Sequence, residues 1–599
     1  MERTAGNEKG QKMKKVTGCP QPFGAAVNGG KINFAVQVSA GKTCDLLLYK
    51  KGEDQPETVF PLPEEEGIGE VRFLAVEGID PSQYEYNYRI DGKVCTDPYV
   101  REISGRETFG VRGGAREHQI RGKLMSSYYD WEGDKRLHLP WNEVVAYSLH
   151  VRGFTKHSSS KVRHRGTYLG LIEKLPYLKE LGINQIQCMP VYEFDECAKA
   201  KINYWGYGPA LYFAPKSSYA AGASAVTELK DMVKACHREG IEVVLEMPFT
   251  EGIQAHTVME CLRFYMMEYH VDGFVVNPYI VSWDMLREDP LLKDIKLLRK
   301  DDAFQNIMRR FLKGDENMVN DVIGALKHNS ADDGKCNYMT GHTGFTLWDL
   351  VSYDCRHNEA NGENNMDGPE YNYSWNCGAE GPSRKRAVLN LRKNQVRNAF
   401  QLLLTAQGTP CLLAGDEFYN TQKGNNNVYC QDNETGWVDW SRLKTDDSLF
   451  RYVKALIRFR EEHPCLRQKE ELKGLDRTAC GMPDVSYHGE SAWQVQSEVS
   501  SRQLGVLYSG SGVEDGECFV AYNMHWLPHI YALPSPGKNR EWYLVSDTEK
   551  GILKAPCLLE DQKAVRVKER GISLLVSREK GSDRREHESD TTFSDDHQA

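Results

Sequence analysis

No tryptophan occurs before Trp131, no two cysteines stand at Cys-x-x-Cys spacing, and no apolar run approaches the length of a membrane span. Each absence excludes something. Without paired spacings, the 16 Cys read neither as a zinc site nor as a disulfide framework. Several lie in apolar runs (Cys188, Cys236, Cys411), the pattern of buried thiols in a reducing cytoplasm, which is the expected location. A spanning helix needs roughly 20 apolar residues, so no membrane is expected as a partner. Met1–Val16 is polar and Lys-rich with no apolar core, against a secretory signal. An excess of positive charge is also missing. The 75 Lys and Arg against 85 Asp and Glu leave a formal charge of -10, which disfavours nucleic acid and anionic lipid. No residue pattern suggests a metal or an organic cofactor, and none is expected.

What is present is an ordinary globular composition, 40% hydrophobic and 27% charged, over 599 residues. That is too long for one core. Residues 15–125 alternate short β-type runs with turns, among them Ile32–Val38, Asp45–Tyr49, Val71–Val76 and Glu85–Ile90, as in a β-sandwich. Residues 126–462 switch to strand–helix alternation. Val144–Leu149, Ile183–Met189, Ile241–Met247, Val271–Val276, Ile295–Leu298 and Pro410–Ala414 are strand-like. Between them, Tyr168, Leu171, Ile172, Leu175 and Leu178 recur at helical spacing, and Glu228–Arg238 reads as a helix closed by Gly240. Such βα alternation implies a parallel sheet, either a (β/α)8 barrel or a doubly wound sheet. Residues 463–578 return to short β runs (Ala492–Val495, Cys518–Tyr522, Trp542–Val545, Ile572–Val576), and residues 579–599 form a charged tail expected to be disordered.

Several long motifs carry a resemblance. They include Leu149-His150-Val151-Arg152-Gly153-Phe154-Thr155, Asn203-Tyr204-Trp205-Gly206-Tyr207, and the run from Gly344-Phe345-Thr346-Leu347-Trp348-Asp349 through His357-Asn358-Glu359-Ala360-Asn361-Gly362-Glu363-Asn364. Ser374-Trp375-Asn376-Cys377-Gly378, Gly415-Asp416-Glu417 and Gln422-Lys423-Gly424-Asn425-Asn426-Asn427 follow. The chain resembles the isoamylase-type glycogen and starch debranching enzymes of the α-amylase superfamily (glycoside hydrolase family 13). The resemblance implies a TIM barrel between an N-terminal β-sandwich and a C-terminal all-β domain. It also likens residues around Pro22-Phe23-Gly24 and Asp97-Pro98-Tyr99 to a starch-type carbohydrate-binding module. With no Trp in that module to stack on a sugar, a structural role is favoured for it.

The family's chemistry is retaining glycoside hydrolysis. One carboxylate attacks the anomeric carbon and a protonated carboxyl assists the leaving oxygen. A third carboxylate grips sugar hydroxyls. Where the family has Gly-Phe-Arg-Phe-Asp, this chain reads Gly273-Phe274-Val275-Val276-Asn277, so Asn277 stands at the nucleophile position and Val275 at that of the arginine. The acid position falls on Lys300, near an apparent loop deletion that leaves Asp301 or Asp302 as displaced alternatives. The third carboxylate position is Thr343, and a sugar-binding His position is Glu251. Of the sugar site, Tyr207 and His342 survive, with Tyr204 and Trp205 beside them as either sugar contacts or rim packing. The Asn425-Asn426-Asn427 run reads as loop turns held by side-chain-to-backbone bonds.

An amide lacks the full charge needed to form the covalent ester, so the leading expectation is a catalytically inactive homologue. It would bind branched α-glucan (glycogen or starch) or an active debranching homologue. The alternative is an active α-1,6-glucosidase using substitute carboxylates such as Glu246, Glu251 or Asp301. A changed chemistry around Lys300 and Glu246 or Glu251 ranks last.

Overall fold

A computed structural model describes residues 13–111, 120–124, 128–222, 224–299, 302–329, 333–513 and 515–581. Two of the residues singled out above, Lys300 and Asp301, lie outside these, as does the expected disordered stretch from 582 on. The chain forms two compact units: Met1–Leu137 with His150–Lys174 and Cys188–Ile295, and His138–Leu149 with Leu175–Gln187 and Lys296–Ala599.

The first unit begins with two antiparallel sheets. In one, the strands run Lys14–Val16, Val71–Glu77, Lys31–Gln37, Gly24–Asn28. In the other they run Thr58–Pro61, Cys44–Lys50, Tyr84–Ile90, Arg121–Lys123, Ile103–Ser104. Phe34, Leu46, Leu48, Leu74, Val76, Tyr86 and Tyr88 fill one core. Each such apolar side chain contributes roughly 1.5–3 kcal/mol by leaving water. Gly122 is required by that packing, because a Cβ there would lie 2.4 Å from the Tyr86 ring.

Strand–helix alternation follows in the same unit. Ala225–Arg238 is a helix because Val226, Leu229, Met232, Val233 and Cys236 fall on one buried stripe. Ser224 caps its start by accepting from Thr227 N–H at 3.2 Å. Gly240, at φ +73°, ends it: the N–H of Gly240 donates to His237 O and that of Ile241 to Cys236 O, each at 2.9 Å. The chain then enters the fully buried strand Glu242–Met247, which pairs in parallel with Gly273–Val276. Continuous burial is what a parallel strand covered on both faces demands.

At the start of that strand pair lies a buried ion cluster. His237 Nδ1 meets the Asp134 carboxylate at 3.0 Å and His237 Nε2 meets Asp272 Oδ2 at 2.9 Å. Asp272 also accepts from Val243 N–H at 2.7 Å and Leu137 N–H at 3.0 Å. His270 Nδ1 adds a 3.0 Å contact to Asp134, with its ring stacked on Trp131.

In the second unit, Ala146–Leu149 pairs in parallel with Cys411–Leu413. The buried Arg460 guanidinium ties the chain behind them together by donating to the carbonyls of Leu404, Ala406, Leu466 and Gly408. A six-stranded antiparallel sheet follows, in the order Val485–His488, Gln503–Tyr508, Cys518–Asn523, Gly571–Glu579, Arg540–Asp547, Gly551–Leu558. Its core holds Leu507, Phe519, Tyr531, Trp542 and Leu575.

Three local expectations are corrected. The stripe from Tyr168 to Leu178 is two helices, Tyr168–Ile172 and Leu175–Leu181, because Pro176 lacks the N–H to continue one and suits the first turn of the next. Ala492–Val495 is not a strand. Trp493 sits at φ +65° with its N–H donating to His488 Nδ1 at 2.8 Å, which closes a turn. The final strand runs to Glu579, one residue into the expected tail.

Burial alone would lower the His237 pKa, but the hydrogen bonds and charges of Asp272 and Asp134 outweigh it and raise it above 6.5. A raised folded value means the stabilisation is complete below the unfolded pKa and is lost as pH rises through the folded one. At pH 6, His237→Gln is therefore expected to lower the unfolding free energy by about 1–3 kcal/mol. Urea titrations are expected to give a smaller difference once the pH exceeds the raised value.

Candidate functional site

The parallel register Glu246↔Val275 and Met247↔Val276 brings two strand ends together. In a βα barrel, ligands meet the carboxyl ends of strands. Glu246 is buried there at 6% exposure, and the Tyr207 hydroxyl donates to its carboxylate. Burial, and after it the Glu246 charge, hold the Tyr207 phenol well above its ordinary pKa, so the hydroxyl keeps its proton. The Asn203 side chain shapes the turn that presents Tyr207: its Oδ1 accepts from Gly206 N–H at 3.0 Å and its amide donates to Tyr207 O at 2.9 Å.

Tyr204 and Trp205 are 1% and 5% exposed. Tyr204 packs on the His150 ring at 4.2 Å. Nδ1 of His150 accepts from Gly153 N–H at 3.0 Å, which leaves the proton on Nε2 to reach Tyr204 O at 2.9 Å. These two aromatic residues thus sit in the packing beneath the site, whereas Tyr207 is only partly buried and Trp205 meets it edge-on at 5.8 Å.

Asn277, one residue past the Gly273–Val276 strand, is exposed. Its Oδ1 accepts from Tyr279 N–H at 3.0 Å, and its carbonyl accepts from Ile280 and Val281 N–H, each at 3.1 Å. The side-chain oxygen is therefore spent on a local Asx-type turn. Val275, buried at 6% exposure, offers no polar group. Glu251 is exposed in the turn after Phe249, apart in environment from buried Glu246.

The second unit holds the remaining positions. His342 is buried, Thr343 is exposed, and Gly344 adopts φ +109°, a conformation that favours glycine. Gly344 N–H donates to Asn426 O at 2.9 Å. Asn426 is fully buried. It accepts from Asn358 Nδ2 at 2.8 Å and donates to Pro369 O at 2.9 Å and Asn372 Oδ1 at 3.2 Å. Asn425 donates to Asn361 Oδ1 at 2.9 Å. The asparagine run is thus more than a local turn: besides holding Gly344, it is fastened to segments 54 to 68 residues away from it in sequence. Asp302 accepts from the Tyr338 hydroxyl.

Sequence reasoning missed a buried pair beside this loop. Asp416 accepts from the Thr340 hydroxyl and from Leu347 N–H at 2.9 Å. Burial pushes its pKa to about 7, against the pull of those bonds and of Arg309. Arg309 donates to Met339 O at 2.7 Å and Asn372 O at 3.1 Å, and burial lowers its pKa to about 10. Asp416 lies in a motif visible in the sequence, but only the fold reveals that it and Arg309 brace the segment around Met339 and Thr340. Among the described residues, no group of three or more His, Cys, Asp or Glu is arranged to hold a metal ion.

A family model described as the α-amylase catalytic domain matches residues 140–270. Isoamylase 1, chloroplastic, of Oryza sativa subsp. japonica is 30% identical over 680 residues, covering 90% of this chain and 83% of that protein. The glycogen operon protein GlgX homolog of Haemophilus influenzae is 30% identical over 644 residues, covering 86% and 95%. Among solved structures, pullulanase from Bacillus acidopullulyticus matches with a TM-score of 0.71 at 20% identity, covering 93% of this chain and 75% of that one. That likeness gives the fold: a (β/α)8 barrel between an N-terminal β-sandwich and a C-terminal all-β domain.

Tyr207→Phe removes a hydrogen bond to a buried carboxylate without changing shape. The unfolding free energy is expected to fall by about 1.5–3 kcal/mol, measured by urea titration at pH 7. An unchanged midpoint would contradict the pairing.

Proposed function

We propose that this chain, which belongs to the isoamylase-type debranching family of the α-amylase superfamily, binds branched α-glucan without hydrolysing it by the retaining route. The observation that carries this is the state of Asn277. Its amide stands where the family's chemistry needs an ionised oxygen, and that amide oxygen is engaged by Tyr279 N–H at 3.0 Å. The retaining mechanism needs two carboxyl groups facing across the cleft roughly 5–5.5 Å apart, one of them an attacking nucleophile. Val275 and Thr343 remove the arginine and the third carboxylate as well.

The scaffold that would hold a glucan is retained. Tyr207 and His342 keep the family's sugar-facing residue types, and Trp205 meets the Tyr207 ring edge-on within the first unit. The likeness to isoamylase and to a glycogen operon protein supports branched α-glucan as the ligand; the alternative partner is an active debranching homologue, with the cytoplasm as the expected location. Glu246 is opposed as a substitute nucleophile by its burial and its bond to the Tyr207 hydroxyl.

The test is reducing-end release from amylopectin beside a pull-down on insoluble starch. The expected outcome is retention on starch with turnover at least about 10⁴-fold below an active debranching enzyme, the scale on which losing one member of a catalytic unit acts. Asn277→Asp alone is expected to leave turnover undetected. Hydrolysis that disappears in Asn277→Ala or Glu246→Gln would overturn the reading.

A further inference from the structure

Two cysteines of the second unit, Cys465 and Cys518, take no part in the site described above, yet they are not isolated thiols in an apolar core. Cys465 lies in the short turn Pro464–Leu466 that follows the helix Ser448–Glu462, and Cys518 opens the strand Cys518–Asn523. They stand 53 residues apart in sequence (518 less 465), and their side chains hydrogen-bond to each other.

A histidine and a carboxylate complete the cluster. His463 Nδ1 meets Asp515 Oδ1 at 3.0 Å, and Asp515 Oδ2 accepts from Cys465 N–H at 3.2 Å. The His463 ring also hydrogen-bonds the Cys518 sulfur, and Phe459 packs on that ring at 4.2 Å. Both cysteines are fully buried, whereas His463 and Asp515 are partly exposed, so the cluster meets solvent through those two residues.

This environment differs from that of an inert core thiol. Burial alone raises the pKa of Cys188 and of Cys261. Burial would raise Cys518 too, but the hydrogen bonds of Cys465 and His463 and the His463 charge bring it below the ordinary thiol value. Burial would lower His463, but Asp515 and Cys518 hold it above 6.5. Arg460 and Tyr508 also face Cys465, whose own pKa burial raises. One sulfur is thus a thiolate beside an imidazolium, and the other keeps its proton.

We propose that Cys465 and Cys518 form an oxidisable dithiol that hydrogen peroxide converts to a disulfide, with Cys518 as the attacking sulfur, Cys465 as the resolving one, and His463, held by Asp515, as proton donor. The burial of both sulfurs excludes a bulky oxidant such as glutathione disulfide and selects a water-sized one. The Cys518 thiolate attacks one peroxide oxygen, the O–O bond breaks, and the departing hydroxide takes the His463 proton to leave as water. The Cys465 sulfur then attacks the Cys518 sulfenic acid. The S–S bond forms, the S–O bond breaks, and the hydroxyl leaves as water with the Cys465 proton. Two electrons pass from the sulfurs to one peroxide. The new bond ties the turn after the helix to the strand, and by constraining the unfolded chain it raises the melting temperature.

The full chain is to be treated with hydrogen peroxide at pH 7, its remaining thiols alkylated, and its peptides mapped by mass spectrometry without reduction. A linked Cys465–Cys518 peptide is expected, released by dithiothreitol and accompanied by a higher melting temperature. Cys465→Ser is expected to stop at a sulfenic acid on Cys518 that dimedone traps. His463→Gln is expected to slow formation of the link roughly 10-fold at pH 7, with the difference shrinking as rising pH ionises the thiol unaided. Free thiols at both positions after the exposed Cys355 and Cys480 have oxidised would overturn the proposal. So would a His463→Gln rate equal to that of the unaltered chain at pH 7. Mapping the unaltered chain needs no variant, so the first of these outcomes decides even where a substitution prevents folding.

Discussion

The side-chain oxygen of Asn277 accepts the Tyr279 N–H at 3.0 Å, and the loop at this strand end is organised around that bond. A carboxylate in the same place could accept the same bond and still attack a sugar carbon. An amide oxygen carries no full negative charge, and bonding to its own chain further reduces what it offers a reacting centre. The strand next door adds no replacement. Glu246 is paired across from Val275, buried, and joined to a tyrosine hydroxyl. Neither side chain, as held in the structure, is an unpaired carboxylate at this strand end.

Elsewhere in each unit, buried carboxylates are held by several partners. Glu417, fully buried, accepts from the hydroxyls of Tyr147 at 2.7 Å and Tyr177 at 2.5 Å. Asp349, also fully buried, accepts from the Thr421 hydroxyl and from Gln422 N–H at 2.7 Å. Burial raises both pKa values, against the effect of these bonds. Lys216 reaches Glu193 and Glu196 at 2.7 and 2.8 Å inside the first unit. Breaking one partner of such a buried pair costs about 3–5 kcal/mol, a large part of a domain's stability. Folding thus restrains these residues strongly. No comparable penalty restrains an exposed Asn277 or Thr343, so the fold tolerates change at the chemical positions while resisting it elsewhere.

Much of this was legible in the sequence, for identifiable reasons. The strands Lys31–Gln37, Glu242–Met247 and Cys518–Asn523 are read correctly because apolar residues crowd short runs bounded by turns. The barrel needed the long motifs, since periodicity does not distinguish it from a doubly wound sheet. Local periodicity misled at Pro176, where a missing N–H splits one apolar stripe into two helices, and at Trp493, where a positive φ replaces an expected strand. At the site, residue types were readable but their partners were not. Nothing in Asn425-Asn426-Asn427 announces bonds to Asn358 and Asn372, and nothing in Tyr207 announces Glu246. Those contacts join residues far apart in sequence.

Covalent trapping tests the central claim most directly. An activated glycosyl fluoride of the maltosyl type loads any functional retaining nucleophile with a sugar, which intact-protein mass spectrometry detects as a discrete mass increase. The account predicts that this chain keeps its unmodified mass under conditions that label an active debranching enzyme. A glycosyl adduct mapped to a side chain at the Gly273–Val276 or Glu242–Met247 strand end would contradict it.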